Sequence, residues 1–160
     1  MKRLNPAFVE AVTAKVNQSP YFSLISMEIK ELGSGESRLE VRVEEKHLQP
    51  FGYVHGGVYA SLVDAAAFWA VHPEIEAGRG LTTVEMNLNY LAPASRGVMI
   101  AQGRSIRVGK TLCLGEASVK NEEGLLLAHG KATMMILKDL SIEGEQMMPP
   151  KFIFEEVPKK

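Results

Sequence analysis

The sequence predicts an α+β fold in which a curved antiparallel sheet wraps around one long buried helix. Three observations lead there. Residues 58–71 form a fourteen-residue run of mainly Val, Tyr, Ala, Leu, Phe and Trp, with no Gly or Pro inside. Segments of alternating apolar and polar residues lie on both sides of it, and short Gly- or Asn-containing turns link most of them. A helix apolar all round must be covered all round, which a flat sheet cannot do.

The elements follow in order. Phe8, Val9, Val12 and Val16 recur at helical spacing after Pro6, which predicts an amphipathic helix over 6–18 that stops at Ser19-Pro20. Met27 to Leu32 and Leu39 to Glu44 alternate around Gly33-Ser34-Gly35, as a hairpin with one buried face would. The buried helix then runs until Pro73 ends it. Beyond Gly78-Arg79-Gly80 come four alternating runs at 82–91, 98–108, 111–120 and 125–137. Their short links predict antiparallel neighbours. Residues 1–137 form one domain, and 138–160 read as a C-terminal extension whose Phe152-Ile153-Phe154 is able to dock on the body. A sheet of this size leaves an edge open, so a second copy is the natural completion.

Composition excludes several roles. The 160 residues suit a single domain, with 46% hydrophobic and 23% charged residues. Eighteen basic and nineteen acidic residues give a formal net charge of -1, without the basic excess of a nucleic-acid surface. The opening Met1-Lys2-Arg3-Leu4-Asn5-Pro6 lacks an apolar run behind its charges, and the buried run is shorter than the ~20 residues that span a bilayer. A lone Cys113 and four histidines (47, 55, 72, 129) without ligand spacing point to a cytoplasmic protein with no bound metal.

Chemistry centres on two places. Asp64 stands among Ala60, Leu62, Val63, Ala65, Ala66, Ala67 and Phe68, where a carboxylate is costly unless it is paired or used. It is expected to act as general base or nucleophile, with its pKa raised by desolvation. His55-Gly56-Gly57 opens the same helix, where the first amide N–H groups have no partner and the helix dipole is positive, an arrangement suited to an oxyanion. Eight residues separate Gly56 from Asp64, about 12 Å along one helix, too far for both to serve one carbonyl group. Two such helices running antiparallel across a two-fold axis would bring Gly56 of one copy opposite Asp64 of the other. The site is expected to be shared.

The run from Gln49 through Pro50-Phe51-Gly52-Tyr53-Val54 to His55-Gly56-Gly57, followed by Leu62-Val63-Asp64, resembles the active-site segment of hotdog-fold acyl-CoA thioesterases. It is similar to the phenylacetate-degradation and 4-hydroxybenzoyl-CoA types. The resemblance continues through Thr83 to Pro93 and Val108-Gly109-Lys110-Thr111, and covers roughly residues 20–137. It implies a hotdog fold and hydrolysis of an acyl-CoA in a homodimer or tetramer, with CoA entering only as part of the substrate. By the same resemblance, the Gly56 amide binds the thioester oxygen and Gln49 orients the carbonyl or the water. Asp64 acts from the facing subunit, His55 holds the loop, and Thr83 positions water or the Asp64 carboxylate. Arg107, Lys110 and Thr111 are then contacts for CoA, and Phe51, Tyr59, Phe68 and Trp69 are candidates for the wall of the acyl pocket. The alternatives are a hydratase or dehydratase of acyl thioesters, or a non-catalytic acyl-CoA-binding module, on the same fold.

Overall fold

The computed structural model describes residues 2–154. Its elements are β1 (Lys2–Leu4), α1 (Pro6–Asn17), α2 (Pro20–Leu24), β2 (Met27–Leu32), β3 (Glu36–Arg42), α3 (Gly56–Val71), β4 (Gly80–Tyr90), β5 (Val98–Val108), β6 (Leu112–Lys120), β7 (Leu126–Leu137) and β8 (Phe152–Phe154). β2 to β7 form one antiparallel sheet in the order β2-β3-β5-β6-β7-β4. It curls around α3, as the apolar run required.

Close approach makes that wrapping feasible. On its sheet side α3 presents Leu62, Val63, Ala66, Ala67, Ala70 and Val71, all fully buried. A Cβ on Gly103 of β5 would collide with the Ala66 carbonyl, and one on Gly115 of β6 would come within 2.9 Å of the Ala67 carbonyl oxygen. Small residues on both surfaces therefore bring the helix backbone against the strands. The buried Ser37 hydroxyl donates to the Ala66 carbonyl at 2.7 Å, fastening β3 to the helix centre.

The wrap is incomplete. Gly57, Ala60, Ser61, Asp64 and Phe68 stay exposed or half-buried. Their spacing of three or four residues makes one stripe down α3, so the expected all-round burial fails on this flank. The seam lies between the two edges of the curled sheet. One edge is β4, which among the described residues bonds only to β7.

Two further features depart from the sequence-based expectation, and a third gives the docking of Phe152-Ile153-Phe154 its form. The fourth strand, β4, is not a neighbour of β5; it lies beyond β7, with Thr83 opposite Met134 and Tyr90 opposite Ala128. The link from β4 to β5 must cross the end of the barrel-like wrap, and local alternation carries no signal for that. Ser19-Pro20 does more than stop α1: Ser19 and Pro20 occupy the N-cap and first-turn positions of a second helix, α2. The extension closes on the N-terminus, with β8 pairing antiparallel to β1 and Leu4 opposite Phe152. Asn5 holds this junction, since its side chain accepts from Ala7 N at 3.1 Å and donates to the Pro150 carbonyl at 2.7 Å. The buried Lys151 ammonium donates to the His72 carbonyl at 2.6 Å, where cations suit the last turn of α3. Among the described residues, no helix is long and apolar enough to cross a membrane.

His72 itself is buried, stacked on Phe68 with ring centroids 5.9 Å apart, and its Nδ1 has no hydrogen-bond partner. Burial, aided by the nearby Lys151 charge, lowers its pKa to about 3 from the ordinary 6.5. The unfolded chain therefore takes up a proton below about pH 6.5 that the folded chain refuses until about pH 3, so stability falls as pH falls through that window. His72→Phe keeps the stacking and removes the proton acceptor. Thermal melts from pH 7 to pH 4 are expected to show a smaller loss of Tm in this variant than in wild type; equal slopes would remove His72 as the source.

Candidate active site

Two groups of candidate residues lie on α3, in separate cavities that share no residue. The first is at the helix start. His55 is the N-cap residue, and its Nδ1 accepts the Gly57 N–H at 2.9 Å. The next amide, Val58 N, bonds to the His55 carbonyl at 2.9 Å. Gly56 N–H finds no acceptor among the described residues and lies beside a cavity of about 510 Å3 bordered by Gln49, Tyr53, Tyr59, Tyr90 and Pro93. By taking up its neighbour's amide, His55 leaves one donor at the positive end of the helix available to a ligand. Gln49 lines the same cavity; its Oε1 accepts from Phe51 N at 2.5 Å, and its amide N–H groups have no acceptor among the described residues. The Tyr90 hydroxyl closes the floor by donating to the Gly56 carbonyl at 3.3 Å.

The second group lies two turns along. Thr83 Oγ1, on β4, donates to Asp64 Oδ1 at 2.8 Å, and Oδ2 has no protein partner among the described residues. A bulge at Val84, just after Thr83, marks this stretch of the edge strand. The carboxylate opens on a second cavity of about 510 Å3, walled by Phe22, Met27, Phe68, Trp69 and Met86. The structure thus joins Asp64 to Thr83, and Gln49 to His55 and Gly56, but does not bring the two sets together within one chain.

The remaining candidates divide. Tyr59 lines the Gly56 cavity, while Phe68 and Trp69 line the Asp64 cavity. Phe51 is 86% exposed and lines neither, because its loop turns it outward. Arg107, Lys110 and Thr111 stand exposed at the β5–β6 turn, outside both cavities. The register places that turn level with Thr83, through Met134, Cys113 and Val108.

Sequence reasoning missed Tyr21 and Ser61. The Tyr21 hydroxyl lies 2.6 Å from Ser61 Oγ, which donates to the Gly57 carbonyl at 2.8 Å, so Tyr21 is the donor in the first of these bonds. This relay fastens α2 across the Asp64 cavity. The signal was present, since Ser61 lies one turn before Asp64 on the same stripe, but Tyr21 gained meaning only once Ser19-Pro20 proved to start a helix.

A six-stranded antiparallel sheet wrapped around one long central helix defines a hotdog-type fold. The chain belongs to the thioesterase superfamily, whose family model matches residues 51–128. It is 32% identical over 114 residues to a 1,4-dihydroxy-2-naphthoyl-CoA hydrolase of Listeria monocytogenes, covering 71% of this chain and 93% of that one. It is 34% identical over 101 residues to human acyl-coenzyme A thioesterase 13, covering 62% and 71% of the two chains. A solved thioesterase structure from Haemophilus influenzae superposes with a TM-score of 0.74 over 82% of this chain and 92% of that one, at 23% identity. The chain is accordingly a thioesterase with the hotdog fold.

Gly56 occupies the first helical position, where proline is tolerated, and the preceding His55 has φ -63 and ψ 139, a conformation that suits a residue before proline. Gly56→Pro therefore deletes the free N–H with little cost to the helix, although the Tyr90 ring, 3.1 Å from the new Cβ, must yield slightly. Loss of one oxyanion donor is expected to lower kcat about 10²- to 10³-fold. Steady-state kinetics, beside circular dichroism showing an intact fold, would check this; unchanged kcat would exclude the amide from catalysis.

Proposed function

We propose that the chain hydrolyses an acyl-CoA to the free acid and CoA, at a site completed only when a second copy docks on the seam of α3. The observation that carries this reading is the separation of the half-sites. Gly56 and Asp64 are on one helix, about 12 Å apart along its axis, each facing its own cavity. Midway between them stands Ala60, small and half-buried on the uncovered stripe. A two-fold axis near Ala60, with the helices antiparallel, sets each Gly56 against the partner's Asp64. Beside the seam, β4 offers eleven residues of unpaired edge with Val84 and Tyr90 exposed, a surface that a second β4 can extend.

The chemistry then follows from the groups present. The thioester oxygen accepts from the Gly56 N–H, with the free amide of Gln49 as a second donor. The Asp64 carboxylate of the facing copy, held by Thr83, takes a proton from water as its oxygen adds to the carbonyl carbon. Negative charge forms on the carbonyl oxygen, where the helix start favours it. Collapse breaks the C–S bond and releases the CoA thiolate, which needs no strong acid to leave. No metal or redox cofactor has a task in this sequence of steps. Arg107, Lys110 and Thr111 have the charge and hydrogen-bonding capacity to hold CoA phosphates or pantetheine along the outer surface. An aromatic acyl group, of the kind named for the Listeria relative, is compatible with the Phe22, Phe68 and Trp69 walls.

A mixed dimer tests the sharing directly. Asp64→Asn and Gly56→Pro are each expected to be nearly inactive alone. A heterodimer of the two, isolated through different affinity tags, carries one site with neither change and is expected to recover about half of wild-type turnover. A heterodimer as inactive as its parents would show that both groups act within one chain.

A further inference from the structure

Behind the Asp64 cavity lies a second, smaller chamber of about 110 Å3. The two have the Phe68 and Trp69 side chains in common. Phe68 is half-buried, set edge-on to Trp69 at 5.2 Å and stacked on His72, and so stands as a partition between them. The far side of the small chamber is built from Gly80, Leu81, Leu140, Ser141 and Ile142. This places the start of the C-terminal extension at the end of a line that begins at the Asp64 carboxylate.

The extension is seated there by packing. A Cβ on Gly80 would collide with the Leu140 carbonyl and come within 2.7 Å of the Leu140 Cβ, so only glycine lets the chain lie this close to β4. Ile142 packs against the main core. The remaining side is lined by His72, whose ring is held neutral by burial, and by Arg79, whose guanidinium pairs with Glu76 at 3.7 Å.

We propose that Phe68 determines specificity by setting the depth of the acyl pocket, and that segment 140–142 closes a reserve chamber behind it. The inference rests on the reading that the Asp64 cavity receives the acyl group. At roughly 27 Å3 for each methylene packed at interior density, the chamber holds about four more carbons once the partition is removed. The substrate class this favours in the native protein is an acyl group that ends at the Phe68–Trp69 wall, whereas a chain reaching past it must displace an aromatic ring.

Binding reads this out independently of turnover. The probes are straight-chain acyl-CoAs of increasing length, titrated against the Asp64→Asn protein. Each methylene entering an apolar pocket tightens Kd about fourfold, and the gain stops where the pocket ends. Adding Phe68→Ala is expected to move that stopping point about four carbons longer, and adding Ile142→Trp as well is expected to bring it back. Phe68→Leu, a milder truncation, serves if the alanine variant does not fold, with a shift of one or two carbons. An unmoved stopping point in a folded Phe68 variant overturns the proposal, as does a shift that survives Ile142→Trp, since the extension would then not close the chamber. Absence of binding by every acyl-CoA overturns it too. Normal binding by a wild-type protein that shows no turnover would instead remove the hydrolytic reading and leave the pocket depth standing.

Discussion

Backbone-to-backbone contact between α3 and the strands is the constraint on which the rest of the molecule depends. Ala66 and Ala67 meet Gly103 and Gly115 with no side chain between them, and Ser37 satisfies the Ala66 carbonyl from the side. A sheet drawn this tightly around a helix has its two edges turned toward each other but not joined. The remaining gap exposes the one stripe of α3 that carries Ser61 and Asp64. The site is thus a consequence of how far the sheet can close. Asp64 sits in a wall that is packed on the sheet side and open on the other, so its carboxylate is held in place yet accessible.

Fixed backbone also explains the division of labour among the polar groups. His55 engages the Gly57 amide, Thr83 engages one carboxylate oxygen, and Phe51 N–H engages the Gln49 oxygen. Each of these contacts leaves a single remaining atom pointing outward: the Gly56 N–H, Asp64 Oδ2 and the Gln49 amide nitrogen. Preorganisation of this kind means that little reorientation is needed when charge develops.

Much of this could be read from the residues alone. The buried helix was visible because its core-facing positions and most of its others are apolar, and the expected bounds of β5, 98–108, match those observed. Asp64 stood out as a charge in that run. What stayed hidden depends on contacts distant in the chain. The three-residue strands β1 and β8 are too short to show a period, and the placement of β4 beyond β7 is decided by the closure of the sheet rather than by any local pattern. α2 was hidden by a Ser-Pro pair whose stop signal and start signal look alike. The half-exposed flank of α3 was concealed by hydrophobicity itself, since Ala60 and Phe68 look as buried in sequence as Ala66 does. The Asp64–Thr83 bond spans nineteen residues and joins helix to edge strand. Spacing carried no hint of it, and only the resemblance pointed to Thr83.

The pairing of Lys2 with Phe154 sets the two ends of the described chain side by side, with Asn5 and Lys151 knotting them to the body. Such a molecule is topologically almost a ring. A linker could join the two ends of the described chain, and new ones could be opened at the Asn121–Gly124 hairpin turn, where Glu122, Glu123 and Gly124 are exposed. The order in which the elements are synthesised would change, while every neighbour in the folded protein stayed the same.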